Sequence, residues 1–491
     1  MEIVLNLEYG TYAPLFRRLS DALRKAILDG RLAPGTAIPS VRDLSASLNI
    51  SRATVLRAFA DLQAQGYLDS FSGAATYVSR RLPGELGDVS VIRTPSQGAA
   101  WKAPDLSEYG RRLIQNQSRQ KDLRLQFSKI NFGGAPLELT PLAQWKNLLL
   151  HYCHFRQLDH AAFSIEPFGY KPLRESLSAY LYRFRAVRSD GERVCVFANK
   201  QLALDAVINL VLNPGDLVAF EEPGFVDARQ HLEATGAKIV PVPVDSHGLD
   251  VKYLESLSEP IKLVYVTPSH QDPTGAVLPA ERRARLLRWA KRTGAFIIED
   301  DYDSEYRYGG QPLPSLQGLD EDDCVIYVGS LWKMLFQVLR VCYVVIPECL
   351  KFPLLLSKMQ TERHLPVPEQ LALTDLMNEG LIERHIKKTR PLYAKRRQSL
   401  LAVLDKRFGE VLQILPESGG THVVVRLSSP LPDAIVLECG HAAGIPIMST
   451  AAYYFDAPRK GEFMIEFAGL DPERIERQVK EWCARMRARS S

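Results

Sequence analysis

No stretch of this chain runs apolar for the roughly 18 residues that a membrane-crossing helix needs, so a membrane protein is not expected. Paired cysteines are missing as well. The seven cysteines, at positions 153, 195, 324, 342, 349, 439 and 483, form no CxxC pair and are odd in number, which argues against a disulfide framework or a zinc site and predicts reduced thiols. Neither sign of charge dominates: 61 Lys and Arg against 57 Asp and Glu leave a net charge of +4, too little to argue for nucleic-acid binding, so any DNA contact has to be argued locally. Met1 to Leu15 mixes Glu2, Asn6, Glu8 and Tyr9 into its apolar residues and lacks the basic head and apolar core of a signal peptide, so a cytoplasmic protein is expected. No internal repeat of fixed period and no low-complexity tract occurs. What is present is a soluble, globular balance, 46% hydrophobic and 24% charged over 491 residues, long enough for two or three domains.

Residues 1–80 read as one small unit. Leu15, Leu19, Ala22, Leu23, Ala26 and Ile27 recur at helical spacing and present one stripe to a core; Gly30 and Pro34-Gly35 end that helix. Ser40, with Asp43 three residues on, caps a short helix through Leu48. Ser51 caps a third helix, expected to carry Val55, Leu56, Phe59 and Leu62 inward as far as Gly66. Two β-like runs follow, Tyr67 to Ser70 and Thr76 to Ser79. Helix, helix-turn-helix and β-wing are therefore expected. Residues 81–122, broken by Pro83, Gly84, Gly87, Pro95, Gly98 and Pro104, read as an interdomain linker with one helical stretch. From 123 to 491 short apolar runs (Leu217 to Phe220, Lys262 to Thr267, Ala295 to Glu299, Cys324 to Val328, Val341 to Ile346) alternate with helical patterns such as Pro279 to Thr293. This predicts an α/β fold with a mostly parallel sheet, and a smaller C-terminal α/β lobe from about 380 to 491 ending in a helix from Pro472 to Arg487.

A helix-turn-helix presents the start of its second helix to base edges and needs short polar groups and arginines there. Ser51, Arg52 and Thr54 occupy that turn, Arg57 follows one turn later, and Arg42 at the preceding helix start is placed to grip a phosphate. The run from Pro34 to Leu44, with Ser51-Arg52-Ala53-Thr54-Val55 and Gly66-Tyr67-Leu68, resembles the GntR-type winged helix. The resemblance implies DNA binding, with Gly73 and Thr76 in the wing, although Gly73-Ala74-Ala75-Thr76 lacks the second glycine usual at its tip.

A second cluster matches what pyridoxal phosphate requires: a lysine for a Schiff base, a carboxylate to keep the pyridine nitrogen protonated, a serine and an arginine for the phosphate, and an aromatic face for the ring. Asp300 and Tyr302 follow one apolar run, Ser330, Lys333 and Arg340 follow another, and Phe225 follows a third. Gly329-Ser330-Leu331-Trp332-Lys333, Glu299 to Tyr308 and Thr267 to Gly275 resemble three motifs of fold-type I aminotransferases. With the winged helix in front, nearly the whole chain is similar to MocR/GabR-family transcription regulators. That resemblance implies Lys333 as the Schiff-base lysine, Asp300 as the pyridine partner, Tyr302 as the hydrogen bond to the ring hydroxyl, and Ser330 with Arg340 as the phosphate clamp. It also implies a head-to-tail homodimer acting on a double-stranded DNA operator.

Departures from the pattern bear on chemistry. Met464 stands where the family places the arginine that binds a substrate carboxylate, and Glu466 adds a like charge nearby, so an ordinary amino acid is a poor ligand. Trp332 replaces a small polar residue before the lysine. Ala198-Asn199-Lys200-Gln201-Leu202 replaces the usual phosphate turn, with Lys200 available to compensate in charge. Asp272 takes the place of an asparagine that donates to the ring oxygen, and an ionised carboxylate cannot donate. The expectation is a regulator that senses an amine, or the cofactor itself, with no net turnover and no catalytic residue beyond Lys333. A working aminotransferase with an appended DNA-binding domain is the alternative, and a regulator whose pocket no longer takes the cofactor is a further one.

Overall fold

The computed structural model describes residues 13–70, 75–83, 105–115, 139–154, 166–309, 313–331, 333, 341–415 and 419–490. The chain divides into two compact units, Met1–Pro104 and Asp105–Ser491.

In the first unit, helix α1 (Leu15–Leu28) buries Leu19, Leu23, Ala26 and Ile27 on one stripe. Helix α2 (Val41–Leu48) starts at Ser40, whose Oγ accepts the Asp43 N–H at 3.2 Å. Helix α3 (Arg52–Ala64) starts at Ser51, whose Oγ accepts the Thr54 N–H at 3.1 Å. Between them Asn49 adopts φ 53°, the left-handed turn that asparagine tolerates better than most residues. Strands β1 (Leu68–Ser70) and β2 (Thr76–Val78) pair antiparallel, Leu68 opposite Val78. Leu19, Leu23, Leu44, Val55, Phe59, Leu62, Leu68 and Val78 share one core. Leu56, expected inward, faces solvent at 56% exposure. Val55, Phe59 and Leu62 already fill the buried stripe, and the next residue round the helix is turned about 100° from it.

The second unit is built on an eight-stranded sheet of order β3-β10-β9-β8-β7-β4-β5-β6. Its strands are β3 (Val194–Phe197), β4 (Leu217–Glu222), β5 (Lys238–Asp245), β6 (Gly248–Leu249), β7 (Ile261–Val266), β8 (Phe296–Asp301), β9 (Val325–Ser330) and β10 (Cys342–Val345). Neighbours from β9 through β5 run parallel, while β10 is antiparallel to β3 and β9, and β6 to β5. Alternate residues face two separate cores. Val218, Phe220, Leu263, Ile298 and Val328 pack with helix α4 (Lys200–Val211), whereas Ala219, Val264, Ile297 and Val325 pack with helix α6 (Ala280–Thr293). Burial on both faces is why these strands read as continuous apolar runs. Between β4 and β5 runs α5 (Val226–Thr235). β5 carries Pro241 and Pro243 and a half-exposed face, and escaped the sequence reading for that reason.

Of residues 81–122, read as linker, the helix Glu108–Gln115 belongs to this second unit: Arg112 Nε donates to the Ala234 carbonyl at 2.8 Å. The C-terminal lobe is an antiparallel sheet of order β11-β12-β14-β13, made of Leu412–Ile414, His422–Leu427, Glu462–Glu466 and Ile447–Ser449 respectively. Around it lie α7 (Leu381–Phe408), α8 (Asp433–Ala442) and α9 (Pro472–Ser490), with Trp482 fully buried and donating to the Val436 carbonyl at 3.2 Å. No described helix is long and apolar enough to cross a membrane.

Candidate functional site

Two sites arise from different kinds of local structure. On the first unit, Arg52 is the first residue of α3 and Arg42 the second of α2, both exposed. Ser51 and Thr54 serve the helix start, their hydroxyls 2.8 Å apart. The Arg57 guanidinium lies 4.7 Å from the centre of the Phe16 ring, so it is held by a cation–π contact. Thr76 is half-buried in β2, where its carbonyl accepts the Ile38 N–H at 2.9 Å. Gly73 lies outside the described residues. Leu56, one turn on from Arg52, extends the same face with an apolar side chain.

The second site forms at the carboxyl ends of the parallel strands, where open α/β sheets hold their ligands. β4 ends before Phe225, β7 before Thr267 to Asp272, β8 within Asp300 and Asp301 just ahead of Tyr302, and β9 at Ser330, three residues before Lys333. Lys333 is buried, and its ammonium donates to Thr421 Oγ1 at 3.0 Å. Thr421 arrives from the C-terminal lobe on a tight approach. A Cβ on Gly420 would collide with the His270 ring, and Gly420 takes φ +75°, so glycine is required there.

The Asp300 carboxylate accepts the Tyr265 hydroxyl and pairs with the Lys200 ammonium on the same oxygen. Lys200 Nζ also stands 4.1 Å from the centre of the Phe225 ring and 5.7 Å from that of Tyr302. The Lys200 ammonium thus lies between Asp300 and Phe225. Gln201 is exposed, its amide 3.4 Å from Asp227. The Tyr302 hydroxyl meets His270 Nδ1 at 3.0 Å, and Asp303 Oδ2 lies 3.0 Å from the same nitrogen. Burial pushes Asp272 up to about 7 against the pull of Lys200 and Lys333. Burial also raises Glu466, which feels Lys333 and Thr421. Burial beside His270 and Lys333 holds His422 well below its usual range, and its Nε2 sits 3.1 Å from the Pro273 carbonyl.

Met464 packs in an apolar cluster with Val226, Leu415, Val424, Met448 and Tyr453. The terminal nitrogens of the buried Arg229 donate to the carbonyls of Ala452, Tyr453 and Tyr454. Trp332 and Arg340 lie outside the described residues. Thr421, His422 and His270 were not singled out from sequence. Only His270 had a signal, its place after an apolar run. The donor set fits pyridoxal phosphate: an amine, a buried carboxylate, an aromatic face and a tyrosine hydroxyl lie together, with the Lys200 ammonium on the carboxylate.

Comparison with known proteins follows this division. Residues 134–481 match the family of class I and II aminotransferases, and residues 15–78 match the bacterial regulatory proteins of the gntR family. The chain is 33% identical over 472 residues to the probable rhizopine catabolism regulatory protein MocR of Rhizobium meliloti, covering 96% of this chain and 93% of that one. It is 30% identical to the HTH-type transcriptional regulator TauR of Rhodobacter capsulatus, covering 81% of each. The crystal structure of LysN, an alpha-aminoadipate aminotransferase of Thermus thermophilus complexed with N-(5'-phosphopyridoxyl)-L-leucine, superposes with a TM-score of 0.68 at 25% identity, over 78% of this chain and 97% of that one. With a gntR-type helix-turn-helix ahead of a class I and II aminotransferase fold, the chain belongs to the MocR-type regulators of the GntR family.

Proposed function

We propose that the protein is a DNA-binding transcription regulator whose aminotransferase-like unit binds pyridoxal phosphate and senses a small molecule, an amine or the cofactor itself, without net turnover. The observation that carries this reading is the gathering of Lys333, Asp300, Tyr302 and Phe225 at the carboxyl ends of the parallel strands in a chain that also exposes Arg52 at the start of a recognition helix. When bound, the cofactor supplies an aldehyde carbon that captures amines reversibly. Lys333 would hold that carbon, with Thr421 orienting its amine. Asp300 would keep a proton on the ring nitrogen, Phe225 would cover the ring, Tyr302 would bond the ring hydroxyl, and Ser330 with Arg340 would hold the phosphate. Apolar packing at Met464 and a buried Asp272 with a raised pKa speak against efficient conversion of an amino acid, which needs every group held in productive geometry.

Regulation then needs a ligand that binds one arrangement of the protein better than another. A head-to-tail homodimer reading two half-sites of an operator is the assembly this reading takes. Incubation with pyridoxal phosphate, borohydride reduction and peptide mass spectrometry should locate an adduct on Lys333. Operator affinity should change when an amine effector is added. No adduct from intact protein would sink the cofactor reading, and an operator affinity indifferent to cofactor and to every amine tried would sink sensing.

A further inference from the structure

We infer that Lys200 is an internal competitor for the cofactor site: its ammonium pairs with the Asp300 carboxylate and lies over the face of Phe225, the two groups a cofactor ring would need, so the ring and the Lys200 ammonium exclude each other there. This rests on the cofactor reading above. Lys200 is the first residue of α4, and Asn199 fixes that helix start by accepting the Leu202 N–H at 2.9 Å. The backbone is therefore held, and the flexible four-carbon stem carries the charge inward. Its target is a carboxylate that is 1% exposed, a position where an unpaired charge is strongly unfavourable. Its second contact, 4.1 Å from the centre of the Phe225 ring, is a cation–π geometry.

These are the two groups on which a cofactor ring depends, one for its nitrogen and one for its face. A lysine ammonium is a compact point charge that brings its own proton, whereas a pyridine nitrogen is a far weaker base that the site must protonate. Lys200 thus satisfies Asp300 without any ligand. On loading, Asp300 exchanges one cation for another, and the Lys200 side chain, already 15% exposed, returns its charge to water. Asp300 then has two ways to be balanced, by the Lys200 ammonium or by a protonated ring nitrogen. A site whose competent state is only partly populated binds with correspondingly weaker apparent affinity, so Lys200 sets how much cofactor the regulator needs.

Two measurements on the full-length protein test this. Pyridoxal phosphate titrations followed by absorbance, with borohydride trapping at Lys333, compare wild type with Lys200→Met, which keeps the stem and removes the charge, and with Lys200→Arg, which keeps the charge. Affinity should rise about tenfold or more in Lys200→Met and stay near wild type in Lys200→Arg. Pulse acetylation read by peptide mass spectrometry should find Lys200 protected in the cofactor-free wild type and reactive once the cofactor is fixed on Lys333. Unchanged or weaker binding by Lys200→Met, or equal acetylation of Lys200 before and after loading, overturns the inference while leaving the cofactor reading intact. No adduct at Lys333 in any of the three proteins overturns both. An adduct in Lys200→Met alone supports the competition in its strongest form.

Discussion

The DNA-reading turn and the cofactor pocket are built on opposite principles. The bonds that start the two helices of the turn are local, Ser40 reaching Asp43 and Ser51 reaching Thr54, and the side chains of Arg42, Arg52 and Arg57 stay in water. The pocket gathers Lys200, Phe225, Asp300, Lys333 and Thr421 from five strand ends and two sheets, and most of its charges are out of water. Exposed polar groups are nearly independent of one another, so each can change alone. Buried charges balance one another, and a change at one alters the state of the next. A surface site therefore tolerates change, while a buried one with Met464 in an apolar cluster and Lys200 on Asp300 has its own balance of charge.

The sharpest break of this contrast is Lys200→Met, which leaves the buried Asp300 carboxylate without its counter-ion. Chemical denaturation of the cofactor-free protein should show a loss of about 3 kcal/mol in the large unit. Adding Asp300→Ala should recover much of it, and strict additivity of the two substitutions would contradict the pairing.

Asp272 gives the next effect through pH. Its pKa is raised by burial from the ordinary 3.8 to about 7, so between those values the folded protein holds a proton that the unfolded chain has released. The stability contributed by that proton is present below about pH 4 and is lost as pH rises to about 7. Relative to wild type, Asp272→Asn should therefore gain in denaturation midpoint from pH 5 to pH 7 and level off above. A gap that stays constant with pH would show that Asp272 does not titrate there.

On the surface, Arg52→Ala should weaken operator binding by about 1–3 kcal/mol if Arg52 reads a guanine, and the loss should concentrate on one base position. Equal loss on all sequences would make it a phosphate contact. Smallest is Ser51→Ala, expected to cost the first unit about 1 kcal/mol through the lost cap, with Ser51→Gly costing only a few tenths. Thermal melts of the two variants separate a capping role from a direct contact, since only the latter would lower DNA affinity beyond the change in folding.

Most of the framework was legible in the sequence for stated physical reasons. Strands buried on both faces leave apolar runs, and β4, β7, β8, β9 and β10 lie where those runs predicted strands. Helix caps leave Ser-x-x signatures, and α2 and α3 start on them. Where one side chain could satisfy two stripes the reading failed, as at Leu56, because periodicity does not say which flank of a helix its neighbours will cover. Strand β5 failed because its prolines and half-exposed face erase the apolar signal.

The sequence by itself determined the order of the two units, the helix caps, the parallel strands and the positions of Lys333, Asp300 and Tyr302 at strand ends, because each depends on neighbours a few residues away. Tertiary structure alone decided that Thr421 meets Lys333, that Met464 lies in an apolar cluster, and that the Lys200 ammonium rests on Asp300 and Phe225. These contacts join residues tens to more than two hundred positions apart. The partner of a buried charge is set by which groups the packed chain brings within reach, and no local pattern records that.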